Sequence, residues 1–164
     1  MEAAEEALQS LVDRSLEALK LLERLTGAQI PRESLNRAVY SALSTLLYEL
    51  CHASIRELYA GLEAVREIDR YLALCIEEVG ARLLEAYVAA SIGVPAISFE
   101  EHSYELNMVP VFRGRVTPRL LERLYREMVE AIERGRLRAF VTGELRDTCR
   151  RIAMAGGGPR LTIR

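Results

Sequence analysis

Residues 62–88 read LEAVREIDRYLALCIEEVGARLLEAYV, with apolar side chains at Leu62, Val65, Ile68, Leu72, Cys75, Ile76, Val79, Leu83 and Val88. Steps of three and four residues are those of an α-helix whose apolar stripe faces a core. The preceding stretch, 31–59, has the same period and a wider stripe: Leu35, Val39, Leu43, Leu46, Leu47, Leu50, Cys51, Ile55 and Leu58. Pro31 suits its first turn, where a missing N–H costs nothing. Only Gly61 separates the two patterns. A single helix over 31–91 would be about 90 Å long at 1.5 Å per residue. That length does not fit one compact domain, so the sequence predicts a long central hairpin turning at Gly61.

The flanking segments extend this plan. Ala4, Leu8, Leu11, Ser15, Leu19 and Leu22 recur at heptad-like spacing in a helix over 3–25, and Gly27 stands where a C′ residue belongs. Such a stripe packs either in its own core or against another chain. Thr117-Pro118 is an N-cap followed by proline at N1, opening a helix to about Arg134 with Gly135 beyond it. A last helix is expected over 143–154, and 156–164, with three glycines and Pro159, as a basic tail. Between these lies 92–116, which contains Pro95 and Pro110. There Tyr104, Leu106 and Met108 alternate with Glu105 and Asn107, so a strand over 104–109, paired with 96–100, is expected. The expected fold is therefore all-α. It is a bundle of about five helices with a central helical hairpin and a small extended or β-hairpin insertion near 95–113. A single domain over 1–155 carries it.

Composition narrows the classes. Half of the 164 residues are apolar, enough to fill a core without metal or disulfide. The longest uncharged run, 86–99, is broken by Pro95 and is too short to cross a membrane. The N-terminus is acidic, unlike a secretory signal, and a cytoplasmic location is expected. The three cysteines, Cys51, Cys75 and Cys149, are odd in number and far apart, which argues against a disulfide framework. Four amide residues and a single lysine beside 21 arginines fit a thermophile, although arginine bias also follows from GC-rich coding.

Charge is divided along the chain. Residues 1–112 hold nine basic and 18 acidic residues, whereas 113–164 hold 13 arginines and six acids. Two readings stand: the basic third pairs internally with the acidic helices, or it offers guanidinium groups to a polyanion. On the second reading the binding residues are Arg113, Arg115, Arg134, Arg136, Arg138, Arg146, Arg150, Arg151, Arg160 and Arg164. Only Phe112 and Phe140 lie among them, which gives base stacking little support.

Other chemistry finds less. Glu49-Leu50-Cys51-His52 holds one Glu-x-x-His, where a di-iron bundle needs two, so no metal is expected; Glu49 and His52 are the residues that would form such a site. Cys51 and His52 point about 100° apart on a helix and do not form a catalytic pair. No cofactor and no catalytic residue is expected. The overall plan, a helical body, a small extended segment and more helix over 60–135, resembles the helical domains of archaeal GINS replication subunits. That resemblance implies a subunit of a replication-type complex and assigns no residues.

The sequence thus points to a non-enzymatic accessory or assembly protein. Its basic C-terminal surface would bind nucleic acid or an acidic protein partner. The alternatives are a scaffold subunit of a homo-oligomer or hetero-complex, and a helical-bundle metalloprotein.

Overall fold

A computed structural model describes residues 2–155. It is helical throughout, with no strand among the described residues. The chain divides into two compact units, Met1–Leu43 and Ser44–Arg164.

The first unit holds α1 (Glu2–Thr26) and the start of α2 (Arg32–Leu58). Gly27 takes φ 66°, and its N–H donates to the Glu23 carbonyl at 2.9 Å. This is the left-handed stop that its position predicts. The Ile30 N–H donates to the Glu23 carboxylate at 3.1 Å, fastening the turn. No residue of α1 is buried.

The second unit is organised around one helix. After α2 the chain turns at Gly61, with φ 86°, as the hairpin reading requires. The descending arm is two helices, α3 (Leu62–Ile68) and α4 (Arg70–Ile92). Asp69 divides them: its carboxylate accepts the N–H groups of Tyr71 and Leu72 at 3.1 and 3.0 Å and so begins α4 as an N-cap. Along α4, Ala73, Cys75, Ile76, Val79, Ala81 and Leu83 are almost wholly removed from water. α2, α6 and the C-terminal helix share its core cluster. Gly80 shows how tightly: a Cβ there would lie 3.0 Å from Ile55 Cδ1 and 3.0 Å from Leu145 Cδ2.

The expected β-hairpin near 95–113 is not formed. Residues Phe99–Met108 are α5, followed by a 3-10 turn at Pro110–Phe112. The cause is local. Ser98 accepts the Glu101 N–H at 3.2 Å while Glu101 accepts the Ser98 N–H at 3.0 Å, a reciprocal capping box. The period-two alternation misleads because Tyr104 and Met108 are exposed; the buried positions are His102, Ser103 and Leu106, a helical set. Among the described residues the α-helices number eight rather than about five. α6 (Pro118–Glu133) starts as expected, with Thr117 Oγ1 accepting the Leu120 N–H at 3.2 Å. The last helix begins earlier than 143: α7 (Leu137–Phe140), a π turn (Val141–Leu145) and α8 (Arg146–Ala155) follow without a gap. The tail over 156–164 lies outside the described residues.

The cysteines need the second correction. Cys75 of α4 and Cys149 of α8 form a disulfide, with Cα atoms 5.5 Å apart and a sequence separation of 74. Both side chains are fully buried. Apolar faces brought them together, which spacing in the chain does not reveal. Cys51 is a buried free thiol whose pKa burial pushes up to about 11.

Two tests follow from this packing. Refolding under a thiol reductant should lower stability by roughly 4 kcal/mol, the loop-closure value for a loop of this length. A urea midpoint that does not move with reduction would show that the bridge does not constrain the unfolded chain. Gly80→Leu should destabilise by about 1–3 kcal/mol through overpacking against Ile55 and Leu145. Thermal melts give the sign.

Candidate functional site

Two groupings of charge stand out in the second unit: a buried ionic network on α4, and an arginine face on α6.

The network runs along the polar edge of α4. Glu77, 7% exposed, accepts from Arg56 Nη1 at 2.6 Å, pairs with Arg66, and lies 3.1 Å from His52 Nδ1. Burial alone would raise its pKa; hydrogen bonds from His52 and Arg56 and the charges of both arginines outweigh that and hold the carboxylate below its usual range. The Tyr48 hydroxyl donates to Glu78 at 3.3 Å. One turn further, Arg82 pairs with Glu105 at 2.5 Å, meets His102 Nδ1 at 3.2 Å and stacks over the Tyr48 ring. Because the Arg82 guanidinium can only donate, His102 Nδ1 is the acceptor and Nε2 carries the proton. Burial, and then the Arg82 charge, push the His102 pKa down to about 4. Glu85 moves the other way: burial raises its carboxyl. A cleft of about 270 Å³, with Tyr48, Arg82, Glu85, Ile97 and Glu105 on its walls, opens beside these groups.

Among the described residues, every buried side-chain polar atom without a partner belongs to this network: His52 Nε2, Arg82 Nε, Glu85 Oε2 and His102 Nε2. Beyond hydrogen-bond distance, His52 Nε2 lies 3.8 Å from Glu78 Oε2. Cys51 is a buried, protonated thiol and not a nucleophile. Glu49 is exposed while His52 turns inward to Glu77. No group of three or more His, Cys, Asp or Glu among the described residues could hold a metal ion.

The basic third is differently arranged. Arg113, Arg136 and Arg150 are exposed and make no ion pair among the described residues. Arg115 donates to the Val111 carbonyl at 2.7 Å, and Arg151 to Thr148 Oγ1 at 2.9 Å. Arg138 donates to the Leu58 carbonyl at 3.0 Å, closing the C-terminus of α2. Arg134 lies 3.9 Å from Glu130, and Arg146 3.1 Å from Asp147. Arg160 and Arg164 lie outside the described residues. No described arginine after residue 112 pairs with a carboxylate of residues 2–112; of those carboxylates, Glu63, Glu77 and Glu105 are paired by Arg56, Arg66 and Arg82. Arg134 and Arg136 do share a cleft of about 180 Å³ with Glu127, Glu130 and Glu144. That cleft is acidic in balance and makes this predicted pair the least suited to an anion.

The arginines that converge most clearly are ones the sequence reading passed over. Arg119, Arg123 and Arg126 stand at i, i+4 and i+7 on α6, one face of the helix. They line a cleft of about 360 Å³ with Thr117 and Leu120, and no carboxylate lines it. All three are exposed, and none has an ion-pair partner among the described residues. Their spacing was legible once Thr117-Pro118 was read as a helix start.

Comparison with family models, with curated proteins and with solved structures finds no match to this chain.

The network makes a prediction about acid. Between pH 6.5 and about 4 the unfolded chain protonates His102 while the folded chain does not. Stability from this group is therefore complete above pH 6.5 and declines as pH falls toward 4. Glu85 has the opposite sign in the same range, because the folded state binds its proton more readily. Comparing melts of wild type and His102→Gln isolates the histidine: the variant should have the flatter profile from pH 7 to 4. Parallel profiles would show that His102 is not held neutral.

Proposed function

We propose that this protein is a non-enzymatic accessory or assembly factor whose basic C-terminal third binds a polyanion, nucleic acid in first place. The single observation that carries the reading is the Arg119, Arg123 and Arg126 face, three exposed guanidinium groups in one cleft without a neutralising acid. Internal stability does not account for that placement. Arg119, in the first turn of α6, opposes the helix dipole, whose positive end is at the N-terminus. Anions are favoured there, and the Thr117-capped start of α6 adds to the attraction. Arg113 and Arg115 precede the same helix in sequence and extend the basic set, and Arg150 and Arg151 add to it on α8.

Guanidinium forks suit phosphate bidentately, so the contacts expected are to backbone phosphates rather than base edges. Binding of that kind is weakly sequence-selective and strongly dependent on salt. An acidic protein segment would use the same arginines and is the competing ligand. The buried Cys75–Cys149 bridge and the amide-poor sequence support a thermophilic origin. In hyperthermophiles intracellular proteins do carry disulfides, so the bridge is compatible with the cytoplasmic location proposed for this chain.

Anisotropy titrations with single-stranded DNA, duplex DNA and RNA at 50 and 200 mM salt test the proposal. Three phosphate contacts imply a loss of affinity on duplex DNA of roughly 40-fold over that range, from a slope of about 0.9 per contact. The Arg119→Gln, Arg123→Gln, Arg126→Gln triple variant should reduce the slope by nearly three while its circular dichroism stays unchanged, since the three side chains are exposed. Absence of binding to all three polymers at 50 mM salt would remove the nucleic-acid reading.

A further inference from the structure

α1 carries an apolar stripe that the rest of its own unit, up to Leu43, does not cover. Leu8, Leu11, Val12, Leu16 and Leu22 are each between 47% and 53% exposed, and no residue of this 25-residue helix is buried. Within the first unit the half-buried residues are Leu19, Glu23, Ile30, Ser34, Leu35 and Leu43, so of α1 only Leu19 and Glu23 are partly drawn in. A one-sided stripe of this width is the pattern of a helix that packs against another. A helix without such packing is marginal in water, however well its sequence suits it.

Charge identifies what covers the stripe. Residues 2–13 carry Glu2, Glu5, Glu6 and Asp13 with no base. Residues 14–37 carry five bases, Arg14, Lys20, Arg24, Arg32 and Arg37, against three acids. Within α1 itself the first half is thus wholly acidic, and the second half, with Arg14, Lys20 and Arg24 against Glu17 and Glu23, is basic in balance. A surface divided in this way is complementary to itself under a two-fold axis that sets the acidic half of one copy against the basic half of the other. The antiparallel arrangement also opposes the two helix dipoles. A parallel arrangement would set acid against acid.

We propose that the α1 stripe is the seam of an antiparallel homodimer, in which a second copy of this chain lays its own α1 along it. The proposal rests on the N-terminal unit alone and is independent of the polyanion reading. Two-fold pairing would make each assembly bivalent, since both copies carry their own arginine face.

Light scattering over 5–100 µM tests it. The full chain should run at twice its 18.5 kDa mass. Leu16→Glu should run at the monomer mass and, because α1 supplies nothing to the buried core, should keep the melting transition of the second unit. Orientation is read by cross-linking. Leu8→Cys and Leu22→Cys chains, mixed under mild oxidation, should join to each other far more readily than either joins to itself. A wild-type monomer at 100 µM overturns the proposal and leaves a different protein as the occupant. So does a Leu16→Glu dimer, a larger closed oligomer, or preferential Leu8→Cys self-linkage. Loss of nucleic-acid binding by the Arg119, Arg123, Arg126 variant with the dimer intact, or of the dimer by Leu16→Glu with binding per monomer intact, separates the two readings.

Discussion

Burial of α4 is the constraint that the Ser44–Arg164 unit depends on. Its sequence is apolar on nearly every side, so neighbours must surround it: α2, α3, α5, α6 and the C-terminal helix each take a face. Two features make the enclosure tight. Gly80 lets Ile55 and Leu145 approach where a methyl group would press on both, and the Cys75–Cys149 bridge ties α8 to the helix axis. The same enclosure creates a difficulty, because α4 also carries Glu77 and Glu85 into positions less than a tenth exposed. Glu77 is compensated by Arg56, Arg66 and His52. Glu85 has no comparable partner, and its proton affinity rises in consequence. A histidine held neutral and a carboxyl held toward its neutral form are the two ways in which this interior avoids an uncompensated charge.

That arrangement bears on the surface. Glu77 of α4 and Glu105 of α5 are neutralised by Arg56, Arg66 and Arg82, arginines from the same two-thirds of the chain. The charge imbalance between the two parts of the sequence is therefore not cancelled across them among the described residues. It persists as exposed guanidinium groups on α6 and α8, and the proposed polyanion face is its consequence. The first unit has a different imbalance, apolar area rather than charge, which the proposed dimer seam would absorb.

Local signals carried most of the helix map. Gly27, Gly61 and Gly135 adopt positive φ at the three helix ends where their spacing placed them, because a left-handed residue is needed there and glycine takes it without a Cβ clash. Thr117-Pro118 began α6 for an equally local reason. The misread segment, 99–108, was also local in origin. A three-residue alternation imitated a strand, and the capping box at Ser98 and Glu101, the stronger signal, went unused. The likeness to GINS helical domains drew on that extended segment, which is helix.

What one strand of text determined here is what neighbouring residues negotiate among themselves: where helices start and stop, which face of each is apolar, and how charge is divided along the chain. Tertiary structure alone settled the rest. It placed Cys75 beside Cys149, buried His102 against Arg82, and left Arg119, Arg123 and Arg126 without a counter-charge. The physical reason is range. Caps and turns are bonds between residues a few positions apart, whereas pairing, burial and solvation depend on residues that folding alone makes neighbours.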